Sequence, residues 1–133
     1  MQGSLKADIV YFGLRVALGT IFVAHGFEKF DPAIAAYFPQ FGLPVEMAFL
    51  SGLAEFVSGI LLIVGVLTRL SAALLSIVML GAIFYVLKAA SLTGQFGYEF
   101  PLILLASALV IIAVGSGRVS VSHLAKKIPR FLQ

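Results

Sequence analysis

Hydrophobic residues recur along this chain in four runs that are long enough, or nearly so, to cross a membrane as helices. A hydrocarbon core of about 30 Å needs roughly 20 apolar residues in a helix that rises about 1.5 Å per residue. The predicted transmembrane helices are 9–27, 47–66, 70–87 and 99–116, in a single domain over 1–133. The fourth reaches a spanning length only if its end residues lie in the interfaces. The pattern therefore predicts an all-α membrane protein, an antiparallel bundle of four transmembrane helices.

The connections and the basic residues predict the topology of this bundle. Only residues 67–69 join the second and third runs, so these helices must be antiparallel neighbours. Lysine and arginine are concentrated on the side of the termini, at Lys6, Arg69, Arg118, Lys126, Lys127 and Arg130. The opposite side carries Lys29 and Lys88. By the positive-inside rule, the N and C termini are predicted to be cytoplasmic.

Two shorter segments lie outside the four runs. In the first outer loop, Asp31 precedes Pro32, which is the pattern of an N-cap followed by a first-turn proline. This pattern predicts a short interfacial helix within 31–38, although an irregular apolar loop is the alternative. The segment 122–133 combines basic and apolar residues and is predicted to be a basic interfacial tail on the inner leaflet.

Composition supports the membrane prediction and excludes several chemistries. Hydrophobic residues make up 61% of the chain and charged residues 11%, whereas a soluble domain has about 45–50% and 25%. The chain has no cysteine, which excludes disulfides, iron–sulfur clusters and thiolate nucleophiles. The formal charge is only +3 and the basic residues are scattered, so no nucleic-acid partner is expected.

Charged residues inside the predicted spans are the main candidates for function. Arg15 shares one helical face with Gly19, Phe22 and Gly26, while Glu55 lies between Gly52 and Gly59 on the second span. Small residues allow close helix packing in lipid, so these faces should meet. The depths estimated from the span ends put Arg15 and Glu55 about 7 Å apart along the membrane normal. They are therefore predicted to form a buried ion pair.

The role of this pair has two interpretations at this point. It can fix helix register, which is a structural role. Alternatively, His25, Glu28 and Glu55 line a polar cavity open to the outer face, where they bind a ligand or exchange protons. No metal site is predicted, because the spacing of these three residues matches no metal-binding signature. A single histidine in the spans also gives no pair of axial ligands for a haem.

Several motifs together give a resemblance to a known family. The segment 15–29, RVALGTIFVAHGFEK, looks like the first-helix motif of the DoxX family of small four-helix integral membrane proteins. Further similarities are Glu55 followed by 59–69, the segment 97–101 and the segment 115–118, all in the family's order. One departure is Ser122, close to where the family often has an aspartate, so a carboxylate function there is not expected.

The resemblance implies a setting and two hypotheses for function. DoxX-like proteins are named for an association with quinol-linked oxidation, and related proteins are subunits of a thiosulfate:quinone oxidoreductase. The first hypothesis is a multi-pass subunit of the inner (plasma) membrane that binds a quinone in the outer half of the bundle, without a covalent cofactor. An oxidoreductase partner subunit would supply electrons. The alternative is a non-catalytic scaffold or assembly factor, in monomeric or homo-oligomeric form; small-solute transport ranks last.

Overall fold

The computed structural model describes residues 5–88, 90–94, 97–117, 120 and 130–132. Within them the chain is helical and contains no strand. The α-helices are α1 Leu5–Glu28, α2 Pro32–Ala35, α3 Glu46–Val64, α4 Thr68–Gly81 and α5 Glu99–Val114. A π-helix, Ala82–Val86, continues α4, and short 3₁₀ turns cover Phe38–Phe41 and Arg130–Leu132.

Three of these helical segments are long and apolar enough to cross a membrane. They are α1 with 24 residues, α3 with 19, and α4 with its π-helical continuation, also 19. The fourth apolar helix, α5, is shorter at 16 residues. α1 packs along α3, α3 against α4, and α4 against α5. The prediction of an all-α membrane protein, a helical bundle, is confirmed.

The loop after α1 contains the short helix that the sequence predicts. Asp31 is the N-cap of α2, and its side chain accepts a hydrogen bond from the Ala33 backbone N–H at 2.9 Å. Pro32 follows as the first helical residue, where its missing N–H leaves no hydrogen bond unmade. The predicted basic tail, 122–133, lies outside the described residues except for the turn at 130–132.

Two pairs of glycines bring α1 and α3 into backbone contact. A Cβ on Gly19 would lie 2.6 Å from the carbonyl oxygen of Gly59, and a Cβ on Gly26 would lie 2.6 Å from that of Gly52. Both pairs belong to one antiparallel register, with Phe22 and Glu55 buried between them. The close contact predicted for the first two spans is therefore confirmed, and it places Glu55 inside the α1–α3 interface.

The remaining core lies between α1, α3, α4 and α5. It consists of large apolar side chains from all four helices, namely Leu18, Phe22, Leu62, Leu75, Met79, Leu104 and Ile111. Gly65 caps the end of α3, and its φ of 80° is in the left-handed region that favours glycine. The chain then turns into α4 within three residues, so α3 and α4 are antiparallel neighbours as predicted.

Candidate functional site

Arg15 lies at one end of the α1–α3 interface and is a backbone cap. Its side chain is buried, with 1% exposed. Its Nε donates to the Leu62 carbonyl at 2.7 Å, and its guanidinium also donates to the carbonyls of Ile63, at 3.3 Å, and Ser116. Carbonyls in the last turn of a helix have no partner within that helix. Arg15 therefore satisfies the end of α3 and the chain after α5.

Neighbouring side chains form further hydrogen bonds next to those of Arg15. The Tyr11 hydroxyl donates to the carbonyl of Gly115, next to the Ser116 carbonyl that Arg15 binds. The hydroxyls of Thr68 and Ser116 are hydrogen-bonded to each other at 2.6 Å. These contacts join the start of α1 to α4 and to the end of α5. Nearly all of the hydrogen-bonding capacity seen here is directed at backbone, which indicates a structural role.

The predicted ion pair between Arg15 and Glu55 is wrong. The two glycine pairs set a register in which Arg15 lies opposite residue 63, eight residues from Glu55, or about 12 Å along α3. The sequence estimate set the ends of the two spans level, whereas Val64, the last residue of α3, lies opposite residue 14, so the part of α1 before that residue extends past the end of α3. The unpaired carbonyls of the helix end are therefore the nearer partners of Arg15.

Glu55 pairs instead with Lys29. The Lys29 Nζ lies 2.8 Å from Oε1 of Glu55, and the carboxylate is buried, with 1% exposed, while 23% of the lysine side chain is exposed. The second carboxylate oxygen, Oε2, is buried and has no hydrogen-bond partner among the described residues. A buried polar atom without a partner is uncommon and costly, so it marks Glu55 as a candidate for function.

Lys29 also lines a cavity between α3 and the end of α4. The cavity has a volume of about 220 Å³. Its wall is mostly apolar, and it includes Lys29, Phe38, Leu43, Met47, Ser51, Ile77, Val78, Gly81, Ala82, Tyr85 and Val86. Lys29 therefore contacts a buried carboxylate and also borders a mostly apolar cavity. π-helical segments such as the one that forms part of this wall are frequent at functional sites.

The other two predicted site residues lie elsewhere. His25 is half-buried and packs edge-on against the ring of Phe100 in α5, with ring centroids 5.7 Å apart. Glu28 is exposed. Neither residue lines the cavity, and no three histidine or carboxylate side chains in the described part of the chain form a cluster suited to a metal ion. A ligand-binding role for His25 and Glu28 stays a prediction.

The ring contact of His25 gives a testable expectation. The variant His25→Phe keeps an aromatic ring against Phe100, so its free energy of unfolding should stay within about 0.5 kcal/mol of the wild type. The variant His25→Ala removes the contact and should lose about 0.5–1.5 kcal/mol more. Denaturant titration in detergent measures both. If the phenylalanine variant were as unstable as the alanine variant, a ring nitrogen would be required.

Sequence reasoning missed Lys29 as the partner of Glu55, although the sequence holds a signal for it. Arg15, Gly19, Phe22 and Gly26 follow a spacing of four, three and four residues, and the next step of three leads to Lys29. The stripe that faces α3 thus has one cation at each end. The cavity itself has no comparable signal, because its wall combines a loop, α3 and the π-helix.

Comparisons with known proteins bear on this site. The model of the DoxX family matches residues 10–88, a range that includes α1, α3, α4, Lys29 and Glu55. A Bacillus subtilis (strain 168) protein named "Putative oxidoreductase CatD" is 33% identical over 93 residues, which cover 68% of this chain and 69% of that protein. "Uncharacterized membrane protein Rv3486" of Mycobacterium tuberculosis is 36% identical over 92 residues, 65% of this chain and 56% of that protein. No solved structure matches.

Proposed function

Because this chain belongs to the DoxX family, we propose that it is a redox-associated membrane protein that binds a quinone, or a similarly apolar ring, in the cavity beside Lys29. The observation that carries the proposal is the Lys29–Glu55 pair. The carboxylate of this pair is buried, the partly exposed lysine borders a mostly apolar cavity, and one carboxylate oxygen has no partner among the described residues. Ionisable residues inside a membrane protein are expensive and are usually functional.

The residues of the cavity fit a quinone ring in size and in chemistry. At about 220 Å³ the cavity is smaller than the roughly 300–1,000 Å³ of sites for drug-sized molecules, so it suits one ring rather than a whole tailed molecule. Quinone oxygens accept hydrogen bonds. Lys29 can donate them, because one ammonium has three N–H bonds and Glu55 uses one of those in the described contacts. The hydroxyl group of Tyr85 is a further donor on the same wall, while that of Ser51 donates to the Ala48 carbonyl at 3.3 Å.

The residues of this chain would then position the ring and neutralise the charge of Lys29. A bound quinone supplies the capacity to take up two electrons and two protons. Lys29 would bind a ring oxygen and orient it, while Glu55 neutralises the ammonium and so lowers the cost of keeping it in an apolar site. Electrons would come from a partner oxidoreductase, because the chain has no cysteine and its described residues show no metal-binding cluster.

The relatives support a redox association without naming a ligand. The name of the Bacillus subtilis protein describes an oxidoreductase, and the mycobacterial one is described as a membrane protein. We propose that this chain lies in the inner (plasma) membrane and works with an oxidoreductase subunit, with self-association as a further mode of assembly. His25 and Glu28 do not line the cavity, so a binding or proton-exchanging role of these residues would lie outside the ring site.

A second candidate function is a non-catalytic scaffold, and one observation favours it. Arg15, the other buried cation of the α1–α3 interface, makes only backbone hydrogen bonds and a contact with the ring of Phe12, at 5.3 Å from its centroid. If the Lys29–Glu55 pair is likewise structural, charged residues stabilise the α1–α3 interface at both of its ends. The protein would then contribute its folded surface to a partner.

Extraction of bound quinone tests the two functions. Wild type and Glu55→Gln are purified in mild detergent, and their lipid extracts are compared by mass spectrometry. We expect near-stoichiometric quinone in the wild type and a loss of at least about tenfold in the variant, which corresponds to about 1.4 kcal/mol. The matched control is Glu46→Gln, an exposed carboxylate at the start of the same helix α3, which should retain quinone.

The outcomes separate chemistry from stability. Quinone loss in a Glu55→Gln protein that keeps its helical circular dichroism and its monodisperse elution supports the ligand site. Absence of quinone from all three proteins, after purification from a quinone-containing membrane, would refute quinone binding and favour the scaffold. If Glu55→Gln alone failed to yield folded protein, the Lys29–Glu55 pair would have a structural role, which also favours the scaffold.

A further inference from the structure

Gly81 is a glycine that the fold does not require. It lies within a regular helix, with φ of −60° and ψ of −44°, so its backbone conformation is open to any residue. A Cβ built on Gly81 meets no atom within 4 Å. In this respect it differs from Gly26, where a Cβ would lie within 2.6 Å of the backbone of α3. Glycine in a helix is destabilising relative to alanine, and at Gly81 no close backbone contact offsets that cost.

The space next to Gly81 is the cavity. Gly81 and the following Ala82 form part of its wall, at the junction between α4 and the π-helix. A larger side chain at residue 81 would therefore extend into the cavity rather than into packed protein. The glycine keeps this part of the cavity open.

The cavity has an open side beside apolar residues of α4 and the π-helix that are exposed on the surface of the bundle. On its rim, Ile77 is 65% exposed and Tyr85 is 58% exposed. Ile77 is nine residues from each end of the membrane-crossing segment Thr68–Val86, so it lies at mid-depth. The rim thus extends about 14 Å, from the middle of that segment to its end. Exposed apolar residues at this depth face hydrocarbon.

We propose that the ligand enters this cavity sideways from the bilayer, past Gly81, and that it is a ring with an attached hydrocarbon tail. The ring lies at the polar end with Lys29 and Ser51, and the tail extends along α4 past Ile77 into lipid. This inference rests on the proposed function for the identity of the ring. Gly81 is the residue that sets how large a group the cavity accepts.

The first test separates binding from stability at residue 81. The variants Gly81→Ala and Gly81→Leu are compared with Gly13→Ala and Gly13→Leu, because a Cβ on Gly13 also meets nothing within 4 Å but Gly13 does not line the cavity. Alanine at either position should raise the melting temperature by a few degrees. Gly81→Leu should weaken binding of decylubiquinone in lipid nanodiscs by about tenfold or more, because it overpacks the site. Gly13→Leu should leave binding unchanged.

The second test concerns the tail. Decylubiquinone and the same dimethoxybenzoquinone ring without a tail are titrated into nanodiscs, with both concentrations expressed per lipid. The tailed probe should bind more tightly. Equal binding of the two probes, or unchanged binding in Gly81→Leu, would overturn the inference while leaving the quinone function in place.

A third measurement needs no quinone. Since the chain has no cysteine, Ser51→Cys provides a single thiol on the cavity wall. An alkyl methanethiosulfonate dissolved in the bilayer should label this thiol, and the double variant with Gly81→Leu should react at least about tenfold more slowly. Slow labelling in the double variant with no quinone binding in any protein would refute the proposed function and support the entry route. Equal labelling rates would overturn the entry route.

Discussion

Replacing Arg15 with methionine is expected to destabilise the protein by about 3 kcal/mol or more, since each buried polar group left unpaired costs about 1–3 kcal/mol. The substitution leaves the carbonyls of Leu62, Ile63 and Ser116 without the donor that now binds them. In lipid no water replaces a lost donor, so the penalty should be at the upper end. The free energy of unfolding, from reversible denaturation in mixed micelles, is the quantity to measure.

Two further variants show whether the loss comes from geometry or from charge. Arg15→Lys keeps the charge but lacks the planar set of donors that reaches three carbonyls, so its stability should fall between methionine and wild type. Lys6→Met removes an exposed cation from the same helix and should change stability by less than about 0.5 kcal/mol. Wild-type stability in Arg15→Met would contradict the assignment of Arg15 as a cap for helix α3.

The second large effect is expected for Gly26→Ala. Its new Cβ would lie 2.6 Å from both the Gly52 carbonyl oxygen and the Phe56 backbone nitrogen. Backbone atoms cannot rotate away as a side chain can, so α1 and α3 must separate. Overpacking of this kind costs about 1–3 kcal/mol. Because Lys29 is only three residues further along the chain, directly after α1, the separation should also weaken its contact with Glu55 and reduce bound quinone.

The control for this variant is Gly13→Ala on the same helix, where the added Cβ meets no atom within 4 Å. That change should stabilise the protein by up to about 1 kcal/mol through helix propensity. The two alanine variants therefore have opposite expected signs. Equal unfolding free energies for both would show that the α1–α3 contact is looser than the glycine pairs indicate.

The helix stripes that face each other could be predicted from the sequence, and the partners of the charged residues could not. The spacing of Gly19 and Gly26, matched by Gly52 and Gly59, is a local signal, and it correctly indicates that α1 and α3 meet. The partner of Arg15 depends on how far α1 extends past the end of α3. The sequence estimate set the ends of the two helices level, which placed Glu55 nearer to Arg15 than the carbonyls of Leu62 and Ile63. Lys29 was counted only as a basic residue of the outer side, because the predicted first span ended at residue 27.

The cavity could not be predicted, because no single segment encodes it. The sequence around Gly81 resembles that around any glycine in an apolar helix. Its proposed role follows only from its position beside the π-helix in the folded structure. The π-helix likewise has no residue pattern that separates it from the α-helix before it. Such features depend on how α3, α4 and the first outer loop pack together.

The shortness of α5 has a consequence for the surrounding membrane. Its 16 residues span about 24 Å, against a hydrocarbon thickness of about 30 Å. Residues 115–117 continue as non-helical backbone, and the carbonyls of Gly115 and Ser116 are bound by Tyr11 and Arg15 rather than left to lipid. Such backbone is tolerated at membrane depth when protein buries it. The hydrophobic mismatch on this side is then relieved by lipid that thins locally around α5, so the protein should accumulate in thinner regions of its membrane.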